Sequence, residues 1–204
     1  GALALDATTT ASNNTAMGYG SLTSNTTGAD NTAVGKDALD ANTTASQNTA
    51  VGKSSLTSNT TGDNVTGIGY NALATNSTGT NNTSLGSKAL QNNTTASNNT
   101  AVGYLALGEN TTASGNVAVG YLAMQDGTTA ANSTAIGYEA LANATTVNGN
   151  HAFGFRALKT NTSGSGNTAV GGSSLTANTT GANNTALGAN SLLSNTSGIQ
   201  NTAV

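Results

Sequence analysis

The sequence predicts an all-β fold, a parallel β-solenoid (β-roll) of twelve 17-residue coils. Three observations lead there. Glycine recurs at Gly1, Gly18, Gly35 and every 17th position to Gly188, and 12 × 17 accounts for all 204 residues without an insertion or deletion. Fixed self-similarity of this kind marks a solenoid or stacked array. The unit is also too short for a helical repeat, which takes roughly 33 residues or more. Finally, Asn, Thr and Gly dominate it; they are poor helix formers, whereas Thr and Val favour extended chain.

Composition narrows the function classes. The chain has no Pro, Cys or Trp, one His, 6% charged residues and a net charge of −3. Such a chain could pass for a low-complexity tract, but a disordered tract has no reason to hold a 17-residue phase. The weak charge and the lack of a basic stripe exclude a nucleic-acid partner. No apolar run approaches a membrane span. Without Cys there are no disulfides and no thiolate metal sites. Residues 1–204 therefore read as a single uninterrupted array.

Numbering each repeat from its glycine gives columns 1 to 17 and the unit G-x-x-A-L-x-x-N-T-T-G-x-x-N-T-A-V. Column 5 is Leu in every repeat but one, which has Met124, and column 17 is apolar throughout, from Met17 and Val34 to Phe153 and Val204. All charges fall in columns 2, 3, 6, 7, 12 and 13, as with Lys36, Asp37, Asp40, Glu109, Asp63 and Asp30. Charged side chains are rarely buried unless paired, so these columns are the expected outer corners. Columns 5 and 17 are the expected core.

Each element follows from its residues. N-T-A-V-G reads as a short strand with Thr and Val on one side. N-T-T-G reads as a second strand closing on a turn, because Gly at a corner tolerates positive φ. Two large apolar side chains per coil make a thin core, since burying each contributes roughly 1.5–3 kcal/mol. Asn and Thr columns in register are expected to supplement it as hydrogen-bonded ladders. Association with other chains through column 5 or column 17 is the second expected supplement. Neither terminal repeat departs enough from the consensus to cap the sheet edge. Either the chain is an excerpt of a longer array or units stack end to end, and a head-to-tail contact that does not close builds a filament.

Chemistry-bearing residues are few. His151 stands in a Thr column with no second His or Cys nearby and reads as a tolerated replacement, not a metal ligand. Phe153 reads as a core filler. The carboxylates form no catalytic pair on adjacent coils, and no Ser has a His partner. No catalytic residue, metal site or cofactor is expected. All five Tyr lie in column 2, and Tyr104, Tyr121 and Tyr138 occupy consecutive repeats. They form a candidate exposed contact stripe toward glycans or a partner chain. Sequons in column 8, such as Asn25 and Asn42, follow automatically from the Asn-Thr-Thr pattern. Those at Asn13, Asn64, Asn81, Asn98, Asn132 and Asn183 lie in an exposed column and are the better glycosylation candidates.

The block N-T-A-V-G-x-x-A-L, as at residues 31–39 and 99–107, resembles the head repeats of YadA-like trimeric autotransporter adhesins. It is also similar to repeats of phage tail-fibre and bacterial surface-fibre proteins. The resemblance covers all twelve repeats, although this unit is longer than the usual head repeat. It implies a left-handed β-roll in a homotrimer at a cell or virion surface, with glycans or a host surface as partners. The expected function is thus a structural or adhesive fibre module in an extracellular filament or surface appendage. An ice-binding solenoid with Thr arrays is the alternative, and a polysaccharide-active solenoid is a distant third.

Overall fold

The computed structural model describes residues 1–204. Every repeat forms one coil, and the expected strand is present in each, from β1 (Thr15–Met17) to β12 (Thr202–Ala203). The twelve strands make one parallel sheet in chain order. Register is strict: Thr32 pairs with Thr49, Ala33 with Ala50 and Val34 with Val51. Each column therefore stacks on itself. At about 4.8 Å per strand the twelve coils span about 58 Å.

The N-T-T-G stretch does not form the second strand that its residues suggest. The Thr26 and Thr27 N–H groups both donate to the Thr43 carbonyl of the next coil, at 2.9 and 3.2 Å. The Thr26 hydroxyl donates to the same oxygen at 3.0 Å. One carbonyl collecting three donors replaces the alternating ladder of a β-pair. Only 22 of the 131 backbone hydrogen bonds lie within strands. The turns thus carry most of the bonding between coils.

The core confirms column 5 and corrects column 17. Leu22, Leu39, Leu56, Leu73, Leu90, Leu107, Met124, Leu141, Leu158 and Leu175 are completely buried. Column 17 faces outward instead: Met17 is 64% exposed, Leu85 46% and Phe153 37%. Phe153 is therefore not a core filler. The physical reason is the two-residue alternation of a strand. Column 16 points inward, and Ala33, Ala50, Ala101 and Ala118 are fully buried there. The lumen beside the leucine column takes only small side chains there; the largest is Ser84, fully buried with its hydroxyl donating to the Ala89 carbonyl at 2.8 Å. At Gly67, where column 16 lacks a side chain, an added Cβ would lie 2.7 Å from Ser55 Oγ and 3.2 Å from Leu56 Cγ.

Column 1 must be glycine for a different reason. Gly35 has φ 138°, and a Cβ on it would lie 2.5 Å from the Gly52 carbonyl oxygen of the next coil. The glycine backbones of successive coils stack too closely for any side chain. Of the expected outer columns, 2 and 13 are exposed almost throughout, while 3, 6, 7 and 12 are largely half-buried.

The Asn ladders form. Asn42 Nδ2 donates to Asn25 Oδ1 at 2.9 Å and to the Ala45 carbonyl at 3.0 Å. In column 14, Asn31 Nδ2 donates to the Ala45 carbonyl at 2.8 Å, while its Oδ1 accepts the Asn48 N–H at 3.0 Å. Fully buried amides thereby replace the apolar volume that the sequence does not supply.

Candidate functional site: an outward strand face with an aromatic edge

The alternation that buries column 16 sends columns 15 and 17 to the outside of the sheet. The result is a face with a Thr row and a parallel apolar row, repeated on all twelve strands. Met17, Leu85, Ile136, Phe153, Val170 and Leu187 are among its exposed apolar side chains. His151 lies in the Thr row of this face, between Thr134 and Thr168, and is exposed.

Column 2 runs beside this face, one glycine further along the chain. Tyr104, Tyr121 and Tyr138 stack as the sequence suggests, with ring centroids 5.5 and 5.1 Å apart. Phe155 continues the stack at 5.5 Å from Tyr138. Phe155 lies in the same column as the tyrosines and is the fourth rung of the stack. The Arg156 guanidinium lies 4.8 Å from the Phe155 ring centroid. Tyr19 and Tyr70 stand outside the stack, and Lys36 and Lys53 reach over them at 5.9 and 5.8 Å. Because each ring in the stack covers its neighbour, the inner tyrosines present edges and hydroxyls, not the open faces on which a sugar would stack.

A second polar surface lies round the coil. Column 10 is Thr or Ser in every repeat and is exposed in every coil, whereas column 9 hydroxyls such as those of Thr43 and Thr94 are used within the stack. Only one of these adjacent columns thus presents an outward row. Asn13, Asn64, Asn81, Asn98, Asn132 and Asn183 are all exposed in column 13. Asn25, Asn42 and the other interior column 8 sequons are buried and hydrogen-bonded, so folding closes them to a modifying enzyme.

Three charged groups form one cluster on adjacent coils. Glu139 Oε2 accepts from Lys159 Nζ at 2.6 Å and from Arg156 Nε at 2.8 Å. The Lys159 hydrogen bond, aided by Arg156, holds the Glu139 carboxyl below its ordinary range. Burial pushes the Asp126 carboxyl up, with a contribution from neighbouring Glu109. No three His, Cys, Asp or Glu residues come together as a metal site, and the surface has no concave pocket. No helix is long and apolar enough to cross a membrane. Comparison with protein-family models, curated proteins and solved structures finds no match. What stands is the fold: an all-β parallel solenoid of tandem 17-residue repeats.

Proposed function

We propose that the chain is a structural fibre module whose rods pack side by side through the outward strand face. The observation that carries this reading is the unbroken apolar row of column 17 on the outside of the sheet. A stripe about 58 Å long and about 10 Å wide covers about 600 Å², the upper end of the largest apolar patch on a typical monomer, a patch that is often functional. A uniform rod with such a stripe suits an extracellular filament or an appendage of a cell or virion. The resemblance of the repeats to trimeric adhesin heads and tail fibres supports the same reading, with a homotrimer as the assembly. Adhesion to glycans or a host surface then falls to the other faces of the rod.

The alternative is an ice-binding solenoid, favoured by two outward Thr rows, column 15 on the sheet and column 10 round the coil. Ordered water needs a flat and uniform lattice. Phe153, Leu85 and Met17 roughen the face, and Val117 and His151 interrupt its Thr row. Varied, bulky apolar groups suit packing against protein. Thermal hysteresis at micromolar protein would revive the alternative.

Sedimentation tests the fibre reading. The protein is expected to sediment as an oligomer, and Val51→Lys with Val102→Lys is expected to give folded monomers. A wild-type protein that stays monomeric when concentrated contradicts the proposal.

A further inference from the structure

The strand face has two edges, and they differ. Column 2 follows the strand across one residue and column 13 precedes it across one residue, so the Cα atoms of each edge lie within about 7 Å of an outward row. Rods that pack parallel and level through this face are related by rotation about an axis along the rods. That rotation brings the column 2 edge of one chain to the column 13 edge of the next. The face itself repeats every coil and specifies register weakly. At about 600 Å² per chain, or about 1,200 Å² for a pair, it also lies at the low end of stable association. Any register must come from the edges.

The edges fit each other in size. Column 2 carries its aromatic block at Tyr104, Tyr121, Tyr138 and Phe155, in coils seven to ten. The four rings are 41–49% exposed. Column 13 is Gly in coils seven, nine and ten, at Gly115, Gly149 and Gly166, and in no other coil. Coil eight departs from the match, with Asn132 level with Tyr121. The chain's own backbone does not demand these glycines. Asn, Asp and Gln hold the same corner at φ 55–62° in the other nine coils, and a Cβ on Gly149 would meet nothing within 4 Å. One edge is thus notched at the level where the other is bulkiest.

The edges also fit in charge, nearer the N-terminal end. The charged residues of column 2 are Lys36 and Lys53, whereas those of columns 12 and 13 are Asp63 and Asp30. Column 3, further round the coil, carries both signs. Lys53 and Asp63 share coil four, and Lys53 makes no ion pair within its own chain. Asp63 Oδ1 accepts the Ser46 N–H at 2.7 Å, which leaves the second carboxylate oxygen for a neighbour. Lys36 and Asp30 lie one coil apart, about 4.8 Å along the rod.

We propose that the two edges interlock between parallel, level copies of this chain, the aromatic block of one seating in the glycine notch of the next and Lys53 meeting its Asp63; the proposal rests on strand-face association. A slip of one coil in either direction raises from one to two the rings that meet an Asn, and it moves Lys53 away from Asp63.

The chain has no cysteine, so introduced thiols report the contact cleanly. Chains carrying Ser87→Cys, in column 2 of coil six, are co-expressed with chains carrying Asn98→Cys, in column 13 of the same coil. A short bismaleimide joins neighbouring thiols, and mass spectrometry identifies the products. Circular dichroism and sedimentation are run in parallel. The two variants are expected to crosslink to each other. Ser87→Cys chains alone should not crosslink, and neither should Ser87→Cys with Gln47→Cys, three coils away and about 14 Å along the rod. Filling the notch with Gly115→Asn, Gly149→Asn and Gly166→Asn should remove the level product, leaving out-of-level products or folded monomers. Gly149→Asn alone is the milder form, should reduce the level yield, and decides the matter if the triple variant fails to fold. Crosslinking of Ser87→Cys chains to one another would overturn the proposal, because column 2 would then meet column 2, as in antiparallel rods. So would an associated protein that lacks the level product, or a level product unchanged by the filled notch. Folded monomers of the unchanged chain would overturn strand-face association itself.

Discussion

Leu90 sits in left-handed backbone conformation, at φ 49°, as does the apolar residue of column 5 in every coil. That conformation costs a bulky residue about 1–2 kcal/mol, and complete burial returns about 1.5–3 kcal/mol. Tertiary packing therefore overrides a local preference that no sequence pattern would disclose. The left-handed corner at column 13 was legible, because Asn, Asp and Gly are the residues that tolerate it. Leu90→Asp should cost about 4 kcal/mol or more, because it buries an unpaired carboxylate. Lys88, at φ 60° in column 3, should behave oppositely: Lys88→Asn is expected to raise stability by up to about 1 kcal/mol. Thermal melts of the two variants check both. Glu139 supplies a pH signature. Its carboxyl is lowered in the folded state by Lys159 and Arg156, so its contribution is full above the ordinary glutamate range and is lost as pH falls through the folded value. Glu139→Gln should lower the melting temperature at neutral pH, and the gap from wild type should close on acidification.

The ladder is the element that makes a thin core sufficient. From Asn25 to Asn110 each column 8 amide bonds the one before it, as Asn76 does to Asn59 at 2.8 Å. At coil eight the rung is missing, because Gly127 has no side-chain amide, and Asn110 Oδ1 is left buried without a donor. Coils eight and nine fill the same space with Met124, Ala144 and Val147, all buried. The ladder resumes with Asn178 on Asn161 at 3.0 Å. Asn76→Ala should orphan Asn59 Oδ1 in the same way without the apolar replacement, costing about 1–3 kcal/mol in a denaturant melt. The ladders were readable from the sequence, since one amide at one phase in a stack must meet its copy. The direction of the strand was not. In T-A-V the two larger residues look like the core and Ala like a filler, and only the lumen width set by Leu at column 5 decides that Ala turns inward. The N-T-T-G segment misled for a related reason: Thr favours extended chain, but its hydroxyls compete for the carbonyl that a β-ladder would use.

At the scale of the whole molecule, the fold class and period follow from the glycine phase, whose cause is the close approach of stacked glycine backbones. The outward apolar face did not follow, because it depends on which way a three-residue strand turns. Putting column 17 outside converts an apparent core residue into an exposed apolar row, on which the proposed side-by-side packing rests. Cryo-electron microscopy of the protein in its associated state tests this most directly. The account predicts rods with an axial repeat of about 4.8 Å, joined through their strand faces, with Val34, Val102 and Ile136 enclosed between chains and the column 10 Thr row facing solvent. Rods that remain separate, or that meet through the column 10 face with column 17 bare in solvent, would contradict it.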